Sequence, residues 1–222
     1  MKKILLLTLI FCALVFAKPS QKTKTLPIVK NGIENTYYPS GKIHTEKPYV
    51  NGKLEGIQKL FYESGAIKIE TPYVNGKAEG IAKLYYESGA INIESPNVNS
   101  KIEGILKQYY ESGVIKIETP YVNDKKEGVS KNYYKSGEIF SEETYQNDQL
   151  EGLEKKYYKS GELMSTVNYS SGKPSSLIFY HIDSSIILIE TIVDGNCIRK
   201  EPNGNVTYRG LINKDHCAFG LD

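Results

Sequence analysis

Residues 56–79 read GIQKLFYESGAIKIETPYVNGKAE, and residues 80–103 read GIAKLYYESGAINIESPNVNSKIE. The second stretch restates the first without a slip. Working outward, the aromatic pairs Tyr37-Tyr38, Phe61-Tyr62, Tyr85-Tyr86, Tyr109-Tyr110, Tyr133-Tyr134 and Tyr157-Tyr158 recur every 24 residues. So do Gly41, Gly65, Gly89, Gly113, Gly137 and Gly161, each after a serine, and the turn column Asn51, Asn75, Asn99, Asn123 and Asn147. Self-similarity at a fixed period of this length is the signature of a repeat architecture. Six units run from 32 to 175 and hold 16 of the 18 tyrosines and 15 of the 19 glycines, so the repeat accounts for the unusual composition.

Each unit reads as two short strands joined by glycine turns. Gly56 to Tyr62 gives a first strand, Glu63-Ser64-Gly65 a tight loop with glycine where φ > 0 is needed, and Ala66 to Val74 a second strand. Asn75-Gly76 reverses the chain, and the residues Gly76 to Glu79 before Gly80 suggest a turn longer than the minimal hairpin. Ile67, Ile69, Thr71 and Tyr73 alternate with Lys68, Glu70 and Pro72. The parity of Ile57, Phe61 and Tyr62 calls for a bulge or a strong twist in the first strand.

One such hairpin buries too little to fold alone, so the units must stack. The expected fold is all-β: an extended antiparallel sheet or solenoid of β-hairpin repeats with a degenerate C-terminal cap. Two strands per unit at ~4.8 Å each give a rod of roughly 60 Å. The columns Ile43, Ile67, Ile91, Ile115, Ile139, Leu163 and Ile57, Ile81, Ile105, Val129, Leu153 are expected inside it. Pro48, Pro72, Pro96 and Pro120 are expected where strands end or bulge. Beyond the repeats, 176–222 reads as a degenerate seventh unit with Ile187 in the interior column and Asp194-Gly195 at its turn. Pro202-Asn203-Gly204-Asn205-Val206 then makes a further partial hairpin.

The chain opens MKKILLLTLIFCALVFA, two lysines followed by a run of mostly apolar residues from Ile4 to Ala17. That run would span only about 21 Å as a helix, short of the ~30 Å hydrocarbon core. Residues 1–17 therefore read as a secretory signal peptide with Val15 and Ala17 at the cleavage site, and 18–31 as a lead-in. An uncleaved anchor and lipidation at Cys12 are the alternatives. Export leaves Cys197 and Cys217 in an oxidising compartment, where a disulfide between them is expected. The place of the exported chain is the periplasm, the outer envelope or the exterior. Without Lys2 and Lys3 the positive and negative charges balance, so no electrostatic pull toward nucleic acid remains.

The string YYESGxIKIETPYVNGKxEG resembles the bacterial variant of the MORN repeat: an aromatic pair, a small-Gly turn, an apolar strand and an Asn-Gly-Lys-x-x-Gly turn. Lys53 and Lys77 match its turn lysine, while Asn99-Ser100 and Asn123-Asp124 depart from Asn-Gly. The chain is also similar to proteins labelled antitoxins of the YwqK type. The resemblance implies a scaffold, dimerisation module or membrane-proximal adaptor, or, under the antitoxin label, a protein that binds and neutralises a toxin. It implies no catalytic residues.

Two columns are candidate binding surfaces. Lys59, Lys83, Lys107, Lys131 and Lys155 would form a cationic stripe for an acidic glycan or phospholipid headgroup. The favoured alternative is a solvated ladder facing the acidic columns Glu70, Glu94, Glu118, Glu142 and Glu55, Glu79, Glu103, Glu127, Glu151. Tyr62, Tyr86, Tyr110, Tyr134 and Tyr158 would form an aromatic platform for carbohydrate or peptide, or else a structural ladder, which recurrence in every unit favours. Catalysis finds little support: His44, His181 and His216 form no metal pattern, and Asp215-His216-Cys217 are adjacent residues that an extended chain points to opposite faces. No cofactor or metal is expected. The sequence therefore points to an exported, non-enzymatic repeat protein that binds another protein or an envelope component, with membrane contact left open and no inserted segment after cleavage. The alternatives are an antitoxin-like inhibitor and a hydrolase sited in 176–222.

Overall fold

The computed structural model describes residues 30–180, 185–193 and 196–211, all as strands and turns of one antiparallel sheet. The leader, most of the lead-in, Asp194-Gly195, His181, His216 and Cys217 lie outside the described residues. Each strand pairs with the next along the chain, and the sheet does not close. The second unit shows the pattern: Lys53–Leu54, Gly56–Phe61, then Ile67–Val74. The first two pieces are one strand broken at Glu55.

The Asn-Gly turn is shorter than the sequence spacing suggested. Val74 pairs with Lys77, leaving a two-residue loop in which Asn75 has φ 52° and Gly76 82°. Two positive φ values define the type I′ turn, whose twist matches that of the flanking strands. Lys77–Ala78 already belongs to the next strand. Where glycine is replaced, Ser100, Asp124 and Asp148 hold the same region at φ 66°, 68° and 69°. Each has a compensating side-chain bond: Ser100 Oγ accepts the Ala78 N–H at 2.9 Å, Asp124 Oδ1 that of Ile102 at 2.6 Å and Asp148 Oδ1 that of Lys126 at 2.8 Å.

These turns are also stitched from unit to unit. Asn75, Asn99, Asn123, Asn147 and Ser171 donate their N–H groups to Glu55, Glu79, Glu103, Glu127 and Glu151 at 2.7–2.9 Å. This acidic column therefore caps the next unit's turn and does not face the lysine column as expected. The prolines lie inside their strands, not at the ends. Pro72 pairs with Ile57, and its carbonyl accepts the Glu79 N–H at 3.0 Å where the neighbouring strand is broken. A proline there supplies a carbonyl and is asked for no N–H. The facing glycine is held twice over: Gly128 has φ +105°, and a Cβ on it would lie 3.2 Å from Pro120 Cγ.

The expected first-strand bulge is present, with the register shifting between Leu60 and Phe61 opposite Ile69 and Ile67. Of the two expected interior columns, Ile43, Ile67, Ile91, Ile115, Ile139 and Leu163 are half-buried. The other is not interior: Ile57 is 52% exposed, Ile81 53%, Ile105 53%, Val129 45% and Leu153 43%. Its residues sit at the flank beside the Asn turns, and among the described residues no second layer covers them.

The buried apolar cluster of the described residues lies at the C-terminal end. Val167, Leu177 and Cys197 are buried, with Tyr169 and Phe179 packed against them. There the strands run on as Lys173–Tyr180, Ile186–Val193, Asn196–Lys200 and Val206–Leu211. The further hairpin expected around Pro202 is present. Its turn closes with Gly204 N–H to Glu201 O and Glu201 N–H to Asn205 O, both 2.9 Å, the bonds that Gly65 and Tyr62 make in the repeats. The side chain of Ile187 lies outside the described residues. Cys197 is fully buried and disulfide-bonded.

Candidate binding surface

Strand alternation divides each unit between two faces. One carries Ile57, Lys59, Glu70 and Pro72, paired across the strands as Ile57–Pro72 and Lys59–Glu70, and the other carries Gln58, Leu60, Ile69 and Thr71. On the first face the lysine column meets the glutamate column as expected: Lys59–Glu70 3.9 Å, Lys83–Glu94 3.8 Å, Lys107–Glu118 3.6 Å and Lys131–Glu142 3.8 Å. Lys155 stands opposite Thr166 and forms no such cross-strand pair. Each half-exposed pair contributes well under about 1 kcal/mol.

The second oxygen of each glutamate is taken by a tyrosine of the next unit. Tyr85, Tyr109, Tyr133 and Tyr157 donate their hydroxyls to Glu70, Glu94, Glu118 and Glu142 at 2.7–2.9 Å. Burial, the hydrogen bond and the carboxylate charge push all four phenols up to about 12. In the sequence the first member of each aromatic pair carries one signal of this role, its strict recurrence in step with the glutamate column.

The second members, Tyr62, Tyr86, Tyr110, Tyr134 and Tyr158, are tied to the backbone. Their hydroxyls donate to the carbonyls of Tyr85, Tyr109, Tyr133, Tyr157 and Tyr180 at 2.8–3.1 Å. Each bond joins a unit to its successor at the edge opposite the Asn turns. Lys68 and Lys116 lie over the rings of Tyr62 and Tyr110, His44 packs on Tyr38, and Phe140 meets Tyr134 edge-on.

Two surfaces remain. The first is an aliphatic strip beside the Asn turns, made of the exposed Ile57 column with Ile33 at its head and Val50, Val74, Val98 and Val122 on the same flank. The second lies on the opposite face, where the units stop being alike. Leu60 and Leu84 give way to Gln108, Asn132 and Lys156, and Ile69, Ile93 and Ile117 give way to Ser141 and Ser165. Asn132 Nδ2 donates to Ser141 Oγ at 2.8 Å and to Glu143 Oε1 at 3.0 Å, and the Tyr145 hydroxyl donates to Glu143 Oε2 at 2.9 Å. Glu154 is buried and pairs with Lys156 at 2.9 Å. Burial and the Glu143 hydrogen bond raise the Tyr145 phenol, and burial with the charge of Glu154 brings Tyr169 to about 12. Asn132, Ser141, Glu143, Glu154 and Lys156 line an open cleft of about 410 Å³ with Tyr110, Lys116 and Phe140. Comparing the units with one another, instead of with their common pattern, would have found them.

Among the described residues no group of three or more His, Cys, Asp or Glu side chains could hold a metal ion. Nor is any helix among them long and apolar enough to cross a membrane.

Two solved structures show limited likeness. One, accessory secretory protein 1,2 and 3 of Streptococcus pneumoniae, is 12% identical over 45% of this chain and 19% of that one, with a TM-score of 0.31. The other, a GtfA/B complex bound to UDP and GlcNAc, is 14% identical over 67% of this chain and 25% of that one, with a TM-score of 0.19. The chain thus spans a quarter or less of either, and neither likeness bears on its function. No curated protein matches it. The profile of the MORN repeat variant matches residues 30–51, 54–75, 78–97, 102–123, 126–147 and 150–171, starting every 24 residues and covering more than half of the chain. With its unit length, turns and ladder in the same register, the chain belongs to the MORN repeat variant family.

Proposed function

We propose that the chain is an exported, non-enzymatic scaffold that presents its stacked units to another protein or to a component of the cell envelope. The observation that carries this reading is the aliphatic strip: ten half-exposed Ile, Val and Leu side chains in two registers along one flank of an unclosed sheet. Exposed apolar patches of that extent mark interaction sites. MORN repeats are commonly protein- or membrane-interaction modules and carry no catalytic machinery, which supports the same reading. Export rests on the leader, and a bond from Cys197 to Cys217 would fit an oxidising compartment.

The test is an affinity capture with the chain from Lys18, using extracts of its own envelope. Recovery of envelope proteins by the wild type, lost when Ile57, Ile81 and Ile105 are changed together to serine, is the expected result. Recovery that survives those changes overturns the strip as the contact surface. One stoichiometric protein partner with toxic activity would replace the scaffold by the inhibitor.

A further inference from the structure

We propose that the cleft over the fourth to sixth repeats is a binding site for an uncharged saccharide. Its polar groups Asn132, Ser141, Glu143, Glu154 and Lys156 lie on the face opposite the lysine ladder and the aliphatic strip, so it stands independently of the scaffold reading.

Four observations carry the assignment. The cleft departs from the units before it: Ser141 stands where the second to fourth units have Ile69, Ile93 and Ile117, Asn132 where they have Leu60, Leu84 and Gln108, and Glu143 where they have Thr71, Ser95 and Thr119. A feature needed only to stack units would recur, and the Glu143 carboxylate, whose column reads Lys47, Thr71, Ser95, Thr119 and Val167 elsewhere, does not. Second, its polar groups are fixed before any ligand arrives. Glu143 is held by Asn132, Ser141 and Tyr145, and Glu154 by Lys156. Groups already locked by mutual bonds lose little freedom on binding.

Third, the lining is mixed as a sugar requires. The carboxylates accept hydrogen bonds, Lys156 donates, and the amide and hydroxyl groups of Asn132 and Ser141 do both. Phe140 and Tyr110 supply the apolar faces against which the C–H side of a pyranose packs. Fourth, the charges cancel: Glu143 and Glu154 stand with Lys116 and Lys156 in one lining. An ionic ligand of either sign would meet its own sign there. The volume, about 410 Å³, lies within the ~300–1,000 Å³ of small-molecule sites.

The experiment is calorimetric titration of the chain from Lys18 with glucose, galactose, N-acetylglucosamine and its oligomers up to the tetramer, with trilysine as a charged comparison. Saturable one-to-one binding of at least one saccharide is expected. Phe140→Ala and Glu143→Gln each weaken it tenfold or more, while Lys59→Ala on the opposite face leaves it unchanged. Circular dichroism confirms that each variant is folded. Should Glu143→Gln not fold, Lys156→Met takes its place with the same expected loss. No saccharide binding by the folded wild type, binding that survives the cleft variants, or binding of trilysine alone would each overturn the assignment. None of these results touches the envelope capture, which reads the aliphatic strip.

Discussion

The rod of repeats and the C-terminal end of the sheet are built on opposite principles. From the first unit through the fifth no apolar side chain is buried, and cohesion comes from periodic polar bonds. Glutamates hold the Asn turns at one edge, Tyr62-type hydroxyls hold backbone carbonyls at the other, and the Lys–Glu–Tyr ladder runs between them. At the C-terminal end the ladder stops and a small core takes over. Val167, Leu177 and Cys197 are buried, and Glu190 is fully buried against Arg199 at 2.6 Å. The difference shows how a one-layer sheet is made to last: each unit gains by repetition what it cannot gain by burial, and where the ladder stops a core takes over.

Alkali should separate the two regions most sharply. The Tyr85, Tyr109, Tyr133 and Tyr157 phenols stand at about 12 in the fold, against 10.0 as the ordinary value. Between those values the folded rod keeps protons that the unfolded chain has lost, so stability is fully present below pH 10 and falls as pH rises toward 12. Circular dichroism and tyrosinate absorbance followed together should show the rod lost in that window, with a shallower loss in Tyr109→Phe.

Next in size is Arg199→Met, which takes the guanidinium from a buried carboxylate and should cost about 3–5 kcal/mol. Urea unfolding would show it, and limited proteolysis should cut first beyond residue 175. An unchanged midpoint would mean that the end contributes nothing to the rod.

Within the rod, Gly128→Ala should cost about 1–3 kcal/mol, since φ is positive and the added Cβ meets Pro120. Gly152→Ala should cost less, because Thr144 replaces the proline in that unit and nothing lies within 4 Å. Equal losses in urea would show that the backbone conformation alone matters. A smaller effect, about 1 kcal/mol, is expected for Asp124→Ala, which keeps the positive φ and loses the bond to Ile102 N–H. Asp124→Gly should be nearly neutral. Smallest of all is Lys107→Ala, within about 0.5 kcal/mol, because its pair with Glu118 is half-exposed.

The sequence by itself determined the period, the all-β hairpins, the glycine positions, the first-strand bulge and the pairing of Lys59 with Glu70. All of these follow from short-range rules: alternation, positive φ and neighbours one strand away. The Asn75-Gly76 turn was recognised but its length misjudged, because Lys77-Ala78 looks like loop until its pairing with Tyr73 and Val74 is seen. The tertiary structure alone decided what lies outside and what lies in. Ile57 looks like core in sequence, yet no other described residue covers its flank of the sheet. It also decided that Glu55 caps a turn 20 residues ahead. Only the curvature and register of stacked strands gather Asn132, Ser141, Glu143, Glu154 and Lys156, drawn from three different strands, into one cleft.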